Sequence, residues 1–204
     1  MTKNVLLIGG GMDSVTLALD LFSKDIEFEM LHVNYGQIAA RAELETITKL
    51  SEYLNVKLHT TYNSNIQDLN VLPNKIIDGP KYDNAYILGR NYYLLGEAAQ
   101  YGDAVYIGLS EGRIFDCTEE FIANMNLAWK GAFDGKKKIL APFVNTAKKD
   151  LVKLGHSICS QYFDFVTTCW VPSTIEPIRG DAIHIPCGVC THCKELKAYS
   201  EGLL

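Results

Sequence analysis

The chain has 204 residues, enough for one ordinary domain or for one domain with a small appendage. Its 48% hydrophobic and 21% charged residues are close to the globular average, which excludes a disordered or fibrous chain. Lys and Arg number 19 against 24 for Asp and Glu, and the net charge of −5 argues against a broad nucleic-acid-binding face. Apolar runs stay short of the roughly 18–20 residues of a membrane span, and the first residues lack a signal-peptide pattern. We therefore expect a cytoplasmic protein without membrane or nucleic-acid partners.

Strand-like and helix-like segments alternate along the first 150 residues. The first segment, Val5-Leu6-Leu7-Ile8, is a continuous apolar run, which is typical of a parallel strand covered on both faces. The predicted strands span 5–8, 26–33, 56–62, 104–108 and 139–141, and the predicted helices span 15–21, 39–54, 91–101, 121–129 and 148–154. This alternation predicts an α/β fold with a Rossmann-like, five-stranded parallel sheet and helices on both faces. Ligands of such folds bind at the carboxyl ends of the strands.

Local signals predict where these elements begin and end. Asp13 or Ser14 is expected to cap the first helix, because short polar side chains accept hydrogen bonds from free N–H groups. Gly155 is expected to end the last predicted helix, because glycine readily adopts the left-handed conformation of a helix C-terminus. The weak pattern over 63–84, which includes two prolines, predicts a long surface loop or lid.

A glycine-rich turn follows the first predicted strand. The run Gly9-Gly10-Gly11 lets backbone N–H groups approach a ligand, and the start of the following helix adds positive partial charge. Ser14 and Thr16 offer hydroxyl donors to the same anion. The run lacks the Gly-Lys-Ser/Thr of a Walker loop and the third spaced glycine of the dinucleotide fingerprint. It therefore predicts a phosphate-binding loop, with a simple tight turn as the alternative.

Four of the six cysteines fall in the last 36 residues. The run Cys187-Gly188-Val189-Cys190-Thr191-His192-Cys193 places three thiols at three-residue steps, a spacing that suits one tetrahedral metal ion. Cys169 is the natural fourth ligand, with His184 and His192 as rivals. A closed four-cysteine shell predicts structural zinc. A disulfide is disfavoured in reducing cytosol, and a redox Cys-x-x-Cys pair remains an alternative. Cys159 is expected to be a buried apolar residue.

The glycine loop resembles the Ser-Gly-Gly-x-Asp-Ser loop of ATP-pyrophosphatases (PP-loop enzymes), which adenylate a substrate and release pyrophosphate. The resemblance implies that Gly10, Gly11, Asp13 and Ser14 hold the phosphates of ATP together with Mg²⁺. One departure is plain, since Gly9 stands where the motif has its first serine.

The loop and the Cys-x(17)-Cys-x-x-Cys-x-x-Cys site together resemble the 7-cyano-7-deazaguanine synthase family (QueC) of the queuosine pathway. Further stretches resemble the family along nearly the whole chain: 32–37 with Arg41 and Glu43, 88–91, Asp116-Cys117 before Phe121-Ile122, 141–143 before Lys148, and Thr168-Cys169. The resemblance implies an ATP-binding α/β domain over 1–155 and a helical, zinc-binding segment over 156–204. It also implies a homodimer.

The resemblance implies a reaction as well. ATP activates the carboxylate of 7-carboxy-7-deazaguanine as an acyl adenylate, ammonia displaces AMP, and a second adenylation dehydrates the amide to the nitrile. The implied catalytic residues are Asp13, Ser14 and Lys148, and the implied substrate residues are Tyr35, Gln37, Arg41, Arg90, Asn91, Asp116 and Cys117. Taken singly, each of these side chains is as well explained as a solvated surface group or a helix cap. Ammonia is expected from outside the chain.

The segment expected to face the substrate departs most from the family. The run 109–115 replaces an Asp-Tyr-Ser-Gly-Tyr-Pro type sequence, and Thr118 replaces an arginine. These changes leave a second hypothesis open, in which an activated deazaguanine acyl group is coupled to an amine on a protein or DNA. A sulfur-transferring relative on the same fold and a non-catalytic nucleotide-binding module are further alternatives.

Overall fold

The computed structural model describes residues 2–63, 87, 89–111, 115–175, 183–201 and 203. Five strands form its main sheet: β1 (Asn4–Leu7), β2 (Glu29–Asn34), β3 (Leu58–Tyr62), β4 (Ala104–Ile107) and β5 (Lys138–Leu140). Every neighbouring pair is parallel, and the strand order is β3-β2-β1-β4-β5. The predicted five-stranded parallel sheet is therefore confirmed. Beyond residue 63, the loop predicted over 63–84 lies outside the described residues.

Helices cover both faces of this sheet. Those in the described part of the chain are α1 (Met12–Ser23), α2 (Ala40–Leu54), α3 (Arg90–Ala98), α4 (Glu119–Ala132), α5 (Lys148–Ile158) and α6 (Thr191–Ser200). One apolar cluster joins α1, α2 and α5 to residues such as Leu6 and Met30, and a second joins α3 and α4 to Val5 and Leu31. Successive strand residues thus point to opposite, fully covered faces. None of these helices has the length and apolar character that a membrane span requires.

The strand order creates a crevice between β1 and β4. The chain runs outward from β1 through β2 to β3, then returns to the other side of β1 with β4. The connections on the two sides of this point leave in opposite directions, so a space opens at the carboxyl ends of β1 and β4. The glycine loop follows β1 directly, which puts its backbone at this space.

Two predictions about helix ends are wrong. Helix α1 begins at Met12 with Gly11 as its N-cap and without a side-chain cap, and the Ser14 hydroxyl instead donates back to the Gly11 carbonyl over 3.1 Å. Helix α5 continues through Gly155 to Ile158. Gly155 is buried, and a Cβ there would lie 2.6 Å from Tyr162 Cδ2, so the glycine permits close packing and does not end the helix.

Tyr162 lies in a short 3₁₀ helix, Tyr162–Phe165, that follows α5. Its side chain is fully buried, and its hydroxyl contacts the Thr16 hydroxyl at 3.0 Å and donates to the Met12 carbonyl over 3.2 Å. The Tyr162 hydroxyl therefore ties the segment after α5 to the first turn of α1. These contacts hold the segment around Tyr162 next to the start of α1, which directly follows the glycine loop.

The C-terminal segment adds a small hairpin and a helix. Strands β6 (Ser173–Ile175) and β7 (Ile183–Ile185) are antiparallel, and α6 packs against α5. Leu196 and Tyr199 of α6 contact the apolar cluster on the α1 face. The division of the chain into 1–155 and 156–204 stays a prediction.

We predict that Gly155→Ala destabilises the protein by about 2 kcal/mol, because the added methyl group overlaps the buried Tyr162 ring. Gly96→Ala is the matched control, since Gly96 is exposed within α3 and a Cβ there would meet no atom within 4 Å. The control should gain about 0.5–1 kcal/mol from the better helix propensity of alanine. Urea denaturation measures both changes, and equal effects would contradict the packing role of Gly155.

Candidate functional site

A cavity of about 280 Å³ opens at the carboxyl ends of β1, β2 and β4. Its volume is near the lower end of typical ligand pockets. Ten of the predicted site residues line it: Gly9, Gly11, Asp13, Ser14, Tyr35, Gln37, Arg90, Asn91, Lys148 and Cys169. The cavity therefore joins the glycine loop, the segment after β2, the start of α3 and the start of α5.

The glycine loop follows the sheet edge closely. Gly10 has a φ of +74°, and its carbonyl accepts a 2.8 Å hydrogen bond from the Thr167 N–H, so a side chain at position 10 would be strained. Gly108 follows β4, and a Cβ there would lie 2.6 Å from the Ser14 nitrogen. The lack of a side chain at Gly108 lets the start of α1 approach the end of β4. The positive end of α1 thus faces the cavity.

Asp13 and Lys148 form the charged centre of the cavity. The Asp13 Oδ2 atom accepts a 3.0 Å hydrogen bond from the Ser110 hydroxyl and lies 3.8 Å from Lys148 Nζ. The ammonium also lies 3.7 Å from Glu195 Oε2 of α6. Burial raises the pKa of the Asp13 carboxyl above its usual value, although the charge of Lys148 opposes this shift. Asp13 Oδ1 is buried and has no hydrogen-bond partner among the described residues.

A second polar group lies on the β2 side of the cavity. The Gln37 side chain accepts a 2.9 Å hydrogen bond from the Tyr35 N–H and donates one of 2.8 Å to Glu43 Oε2. Burial raises the pKa of the Glu43 carboxyl to about 7. Burial raises the pKa of the Tyr35 hydroxyl, and the charge of the nearby Arg90 guanidinium opposes this shift. This side therefore offers one permanent cation and several neutral hydrogen-bonding groups.

Asp116 and Cys117 lie behind the cavity wall and do not line it. The Asn91 N–H donates to Asp116 Oδ2 over 3.0 Å, and the Asn91 amide donates to the Asp116 carbonyl over 2.8 Å. The Asp116 carboxylate thus supports the start of α3, and its predicted contact with the substrate stays a prediction. Burial raises the pKa of the Cys117 thiol to about 11, so the thiol is a poor nucleophile.

Thr16 and Arg41 also lie outside the cavity. The Thr16 hydroxyl donates to the Leu151 carbonyl over 3.2 Å on the buried side of α1, so it does not face the predicted phosphate position. Arg41 is exposed and pairs with Glu45 one turn along α2, at 2.9 Å. The contacts of these two side chains with nucleotide and substrate stay predictions, and the observed side-chain directions disfavour them. In each case helical periodicity turns the side chain away from the cavity.

The four cysteines predicted as metal ligands come together. The sulfur atoms of Cys169, Cys187, Cys190 and Cys193 all lie within 4.8 Å of one another. The N–H groups of Cys187, Cys190 and Cys193 donate to cysteine sulfur atoms over 3.2–3.4 Å, an arrangement that favours thiolates. The predicted rival His184 instead contacts Thr174 and Glu45, at 3.0 and 2.7 Å. Cys159 is buried in the core as predicted.

Several residues that line the cavity or contact its charged centre are not among the predicted catalytic, cofactor, substrate or metal residues. His192 and Trp170 line the cavity with ring centroids 4.7 Å apart, so the cysteine-bearing turn forms part of the wall. His32 is buried, its Nδ1 lies 3.2 Å from the Ile8 carbonyl, and its Nε2 has no partner among the described residues. The position of His192 between two predicted metal ligands could have indicated that it lies near the site. Ser110 and Glu195 come from distant elements, and no motif marked them.

We predict that Thr16→Val lowers stability by about 1–2 kcal/mol and leaves nucleotide affinity unchanged, because its hydroxyl bonds within the core. Thr48→Val is the control, since the Thr48 hydroxyl bonds only to the Leu44 carbonyl of its own helix among the described contacts. Urea denaturation and ATP titration measure the two effects. Weakened ATP binding by a folded Thr16→Val variant would restore the original assignment.

A family model described as queuosine biosynthesis protein QueC matches residues 3–202. Among individual relatives, the chain is 29% identical over 217 residues to 7-cyano-7-deazaguanine synthase of Methanothermobacter thermautotrophicus, covering 94% of this chain and 90% of the relative. It is 32% identical over 178 residues to the enzyme of that name from Nautilia profundicola, covering 75% of this chain and 78% of the relative.

Solved structures are similar in fold. A predicted tRNA methyltransferase subunit from Methanocaldococcus jannaschii has a TM-score of 0.51 at 14% identity, covering 76% of this chain and 74% of that one. A 4-thiouridine synthetase, solved with RNA and ATP, has a TM-score of 0.50 at 15% identity, covering 98% of this chain and 50% of that one. At such low identity these likenesses concern the fold alone. The family model, by contrast, spans nearly the whole sequence, and the chain belongs to the QueC family of queuosine biosynthesis proteins.

Proposed function

We propose that the protein is an ATP-dependent ligase that converts 7-carboxy-7-deazaguanine and ammonia into 7-cyano-7-deazaguanine. The observation that carries this proposal is the cavity in which the glycine loop, Asp13 and Lys148 meet at the carboxyl ends of β1 and β4. The names of the family's relatives support the same reaction. A homodimer in solution stays a prediction.

The glycine loop and the start of α1 are the proposed site for the ATP phosphates. Backbone N–H groups from 9–11 and the Ser14 hydroxyl are suited to donate hydrogen bonds to phosphate oxygens. Lys148 lies close enough to Asp13 to serve the same site, and its ammonium offsets negative charge on the departing pyrophosphate. The buried Oδ1 of Asp13 has no partner among the described residues, so it fits a Mg²⁺ ion. When bound, this ion supplies charge neutralisation to the phosphates.

The deazaguanine carboxylate is proposed to lie between this site and Arg90. The guanidinium offers a bidentate match to a carboxylate, and the Tyr35 hydroxyl beside it restricts its position. Gln37 and Asn91 offer amide groups to the polar edge of the ring, and Asp116 holds Asn91 in place. The roles of Arg41, Asp116 and Cys117 are therefore indirect in this proposal.

The proposed reaction has three chemical steps. A carboxylate oxygen attacks the α-phosphorus, the bond to pyrophosphate breaks, and an acyl adenylate forms. Ammonia attacks the acyl carbon, AMP leaves, and the amide results after loss of a proton. The amide oxygen then attacks the α-phosphorus of a second ATP and pyrophosphate leaves, after which loss of both amide protons and of AMP gives the nitrile. Two molecules of ATP are consumed for each nitrile formed.

Incubation with Mg-ATP, ammonium and 7-carboxy-7-deazaguanine tests the proposal. Mass spectrometry should show AMP and the nitrile at a ratio of about two to one. Omission of ammonium should block nitrile formation. AMP formation that ends at the amide, or that adds the acyl group to a protein or DNA amine, would contradict the proposed end-product. Absence of ATP-dependent AMP release would contradict adenylation itself.

We predict that Lys148→Met lowers kcat/KM for AMP formation roughly 100-fold, because it removes the ammonium beside the pyrophosphate site. Lys149→Met is a matched control, since Lys149 is the next residue of α5 and is exposed. The control should stay within about twofold of the unchanged protein in a steady-state assay. Similar losses in both variants would show that Lys148 acts only through the general charge of α5.

We also propose that the four-cysteine cluster holds one structural zinc ion. A regular tetrahedral shell with Zn–S bonds of about 2.3 Å requires sulfur atoms roughly 3.8 Å apart. Cys187 Sγ and Cys193 Sγ lie 4.0 Å apart, and the whole set lies within 4.8 Å, so the cluster fits a zinc ion after a small contraction. Four thiolates would fill the shell, which suits a structural role.

Elemental analysis of the purified protein should find about one zinc ion per chain. Cys190→Ser should lower this content and the melting temperature, because Cys190 is fully buried within the cluster. Cys117→Ser is the control and should keep its zinc, since Cys117 lies outside the cluster. Full zinc content in the Cys190→Ser variant would contradict the proposed ligand set.

A further inference from the structure

Glu43 places a carboxyl group beside the part of the glycine loop that carries no side chain. A Cβ added at Gly9 would lie 3.8 Å from Glu43 Oε2, and one added at Gly10 would lie 3.7 Å from Glu43 Cα. Both Gly9 and Glu43 line the cavity. The carboxyl therefore adjoins the backbone that is suited to phosphate, at the position that a side chain of residue 9 would occupy.

A charged carboxylate at this position would repel a phosphate. Asp13 is partly neutralised by Lys148, whereas Glu43 makes no ion pair within the described residues and receives a hydrogen bond from the neutral Gln37 amide. The charged and titratable groups that act on Glu43 are Arg90 of α3, which favours the carboxylate, and Tyr35 after β2. His32 and Asp13 line the same cavity from β2 and α1.

We propose that Glu43 binds the nucleotide as a neutral carboxylic acid, with its hydroxyl group donating a hydrogen bond to a phosphate oxygen beside Gly9. Gln37 donates to Oε2, so Oε1 is the oxygen left to carry the proton. Burial supports this assignment, since it holds the pKa of Glu43 at about 7. The inference rests on the proposed binding of ATP phosphates at the glycine loop.

The inference predicts a pH dependence with a definite sign. Below pH 7 the free protein already carries the proton, so ATP binding requires no proton uptake by Glu43. Above pH 7 the free carboxyl is charged and must take up a proton on binding, so the Kd rises with pH, by at most about tenfold per pH unit. The negative charge of the bound phosphate raises the pKa of Glu43 further.

ATP titrations in the presence of Mg²⁺, without a deazaguanine substrate, test this dependence between pH 6.5 and pH 8.5. From pH 7 to pH 8.5 the unchanged protein should lose about tenfold in affinity. Glu43→Gln should bind at pH 7 with an affinity within about threefold, because its amide is also a donor, and should lose the added pH dependence. Glu43→Ala should bind about tenfold more weakly at pH 7 and lose the same pH dependence.

Two controls separate this role from a structural one. Glu52→Gln changes an exposed glutamate of the same helix and should keep the pH dependence of the unchanged protein. Calorimetry in buffers of different ionisation enthalpy should detect up to about one proton taken up per ATP at pH 7.5, and less in Glu43→Gln. A merely structural role of Glu43 would leave this proton count unchanged.

A third variant tests the position of the contact. Gly9→Ser supplies a hydroxyl beside the carboxyl, and its side chain fits because the nearest atom to its Cβ lies at an ordinary 3.8 Å. Glu43→Ala should therefore lower ATP affinity less in a protein that carries Gly9→Ser than in the unchanged protein. If the effects of the two substitutions on ATP affinity simply add, the two side chains do not share a contact with the phosphate. Equal pH dependence in the unchanged protein and Glu43→Gln would overturn the inference alone. Failure of every variant to bind ATP would overturn the proposed function as well.

Discussion

The buried hydroxyl of Tyr162 is the contact on which the geometry of the site depends. It touches the Thr16 hydroxyl and the Met12 carbonyl in the first turns of α1, while its ring packs on Gly155 of α5. A polar group in such a place is costly unless it is fully hydrogen-bonded, so its partners fix the position of α1 relative to α5. Asp13 projects from α1 and Lys148 from α5, and their separation follows from this packing.

The electrostatics of the cavity explain how an acidic protein can be suited to a polyanion. The chain carries a net charge of −5, yet Lys148 and Arg90 both line the cavity, and the start of α1 contributes positive partial charge. The carboxyl groups of Asp13 and Glu43 both line the cavity, and their charged neighbours differ. Burial raises the pKa of both carboxyl groups, but the ammonium of Lys148 opposes this shift at Asp13, whereas the pKa of Glu43 reaches about 7. Electrostatic attraction of an anion by the cavity therefore comes from Lys148, Arg90 and the start of α1, and it does not require a basic protein surface.

The sequence was sufficient to predict the parts of the fold that depend on local pattern. The apolar runs and their helical neighbours predicted the five parallel strands, and the Cys-x-x-Cys spacing predicted the sulfur cluster. Residues of the glycine loop could be placed in the cavity because the turn after β1 always lies at that edge of the sheet.

Prediction from the sequence is least reliable where a side chain's direction depends on tertiary packing. Thr16 has a suitable hydroxyl, but the packing of α1 against α5 turns it towards Leu151. The local pattern predicts a helix end at Gly155, because no local signal reveals the Tyr162 ring seven residues later. Asp116 supports the start of α3 by a contact across 25 residues. Such contacts become visible only when the elements are assembled.

The bridge from Asp13 through Lys148 to Glu195 has a consequence for synthesis on the ribosome. Asp13 belongs to α1 and Glu195 to α6, so the charged centre is completed only after residue 195 has been translated. The sheet strands emerge much earlier and are available to pair while α6 is still being made. A nascent chain at that stage has the glycine loop but lacks the carboxylate of Glu195 beside Lys148. The strands of the main sheet can therefore pair before the Asp13, Lys148 and Glu195 group is complete, because Glu195 follows all five strands in the sequence.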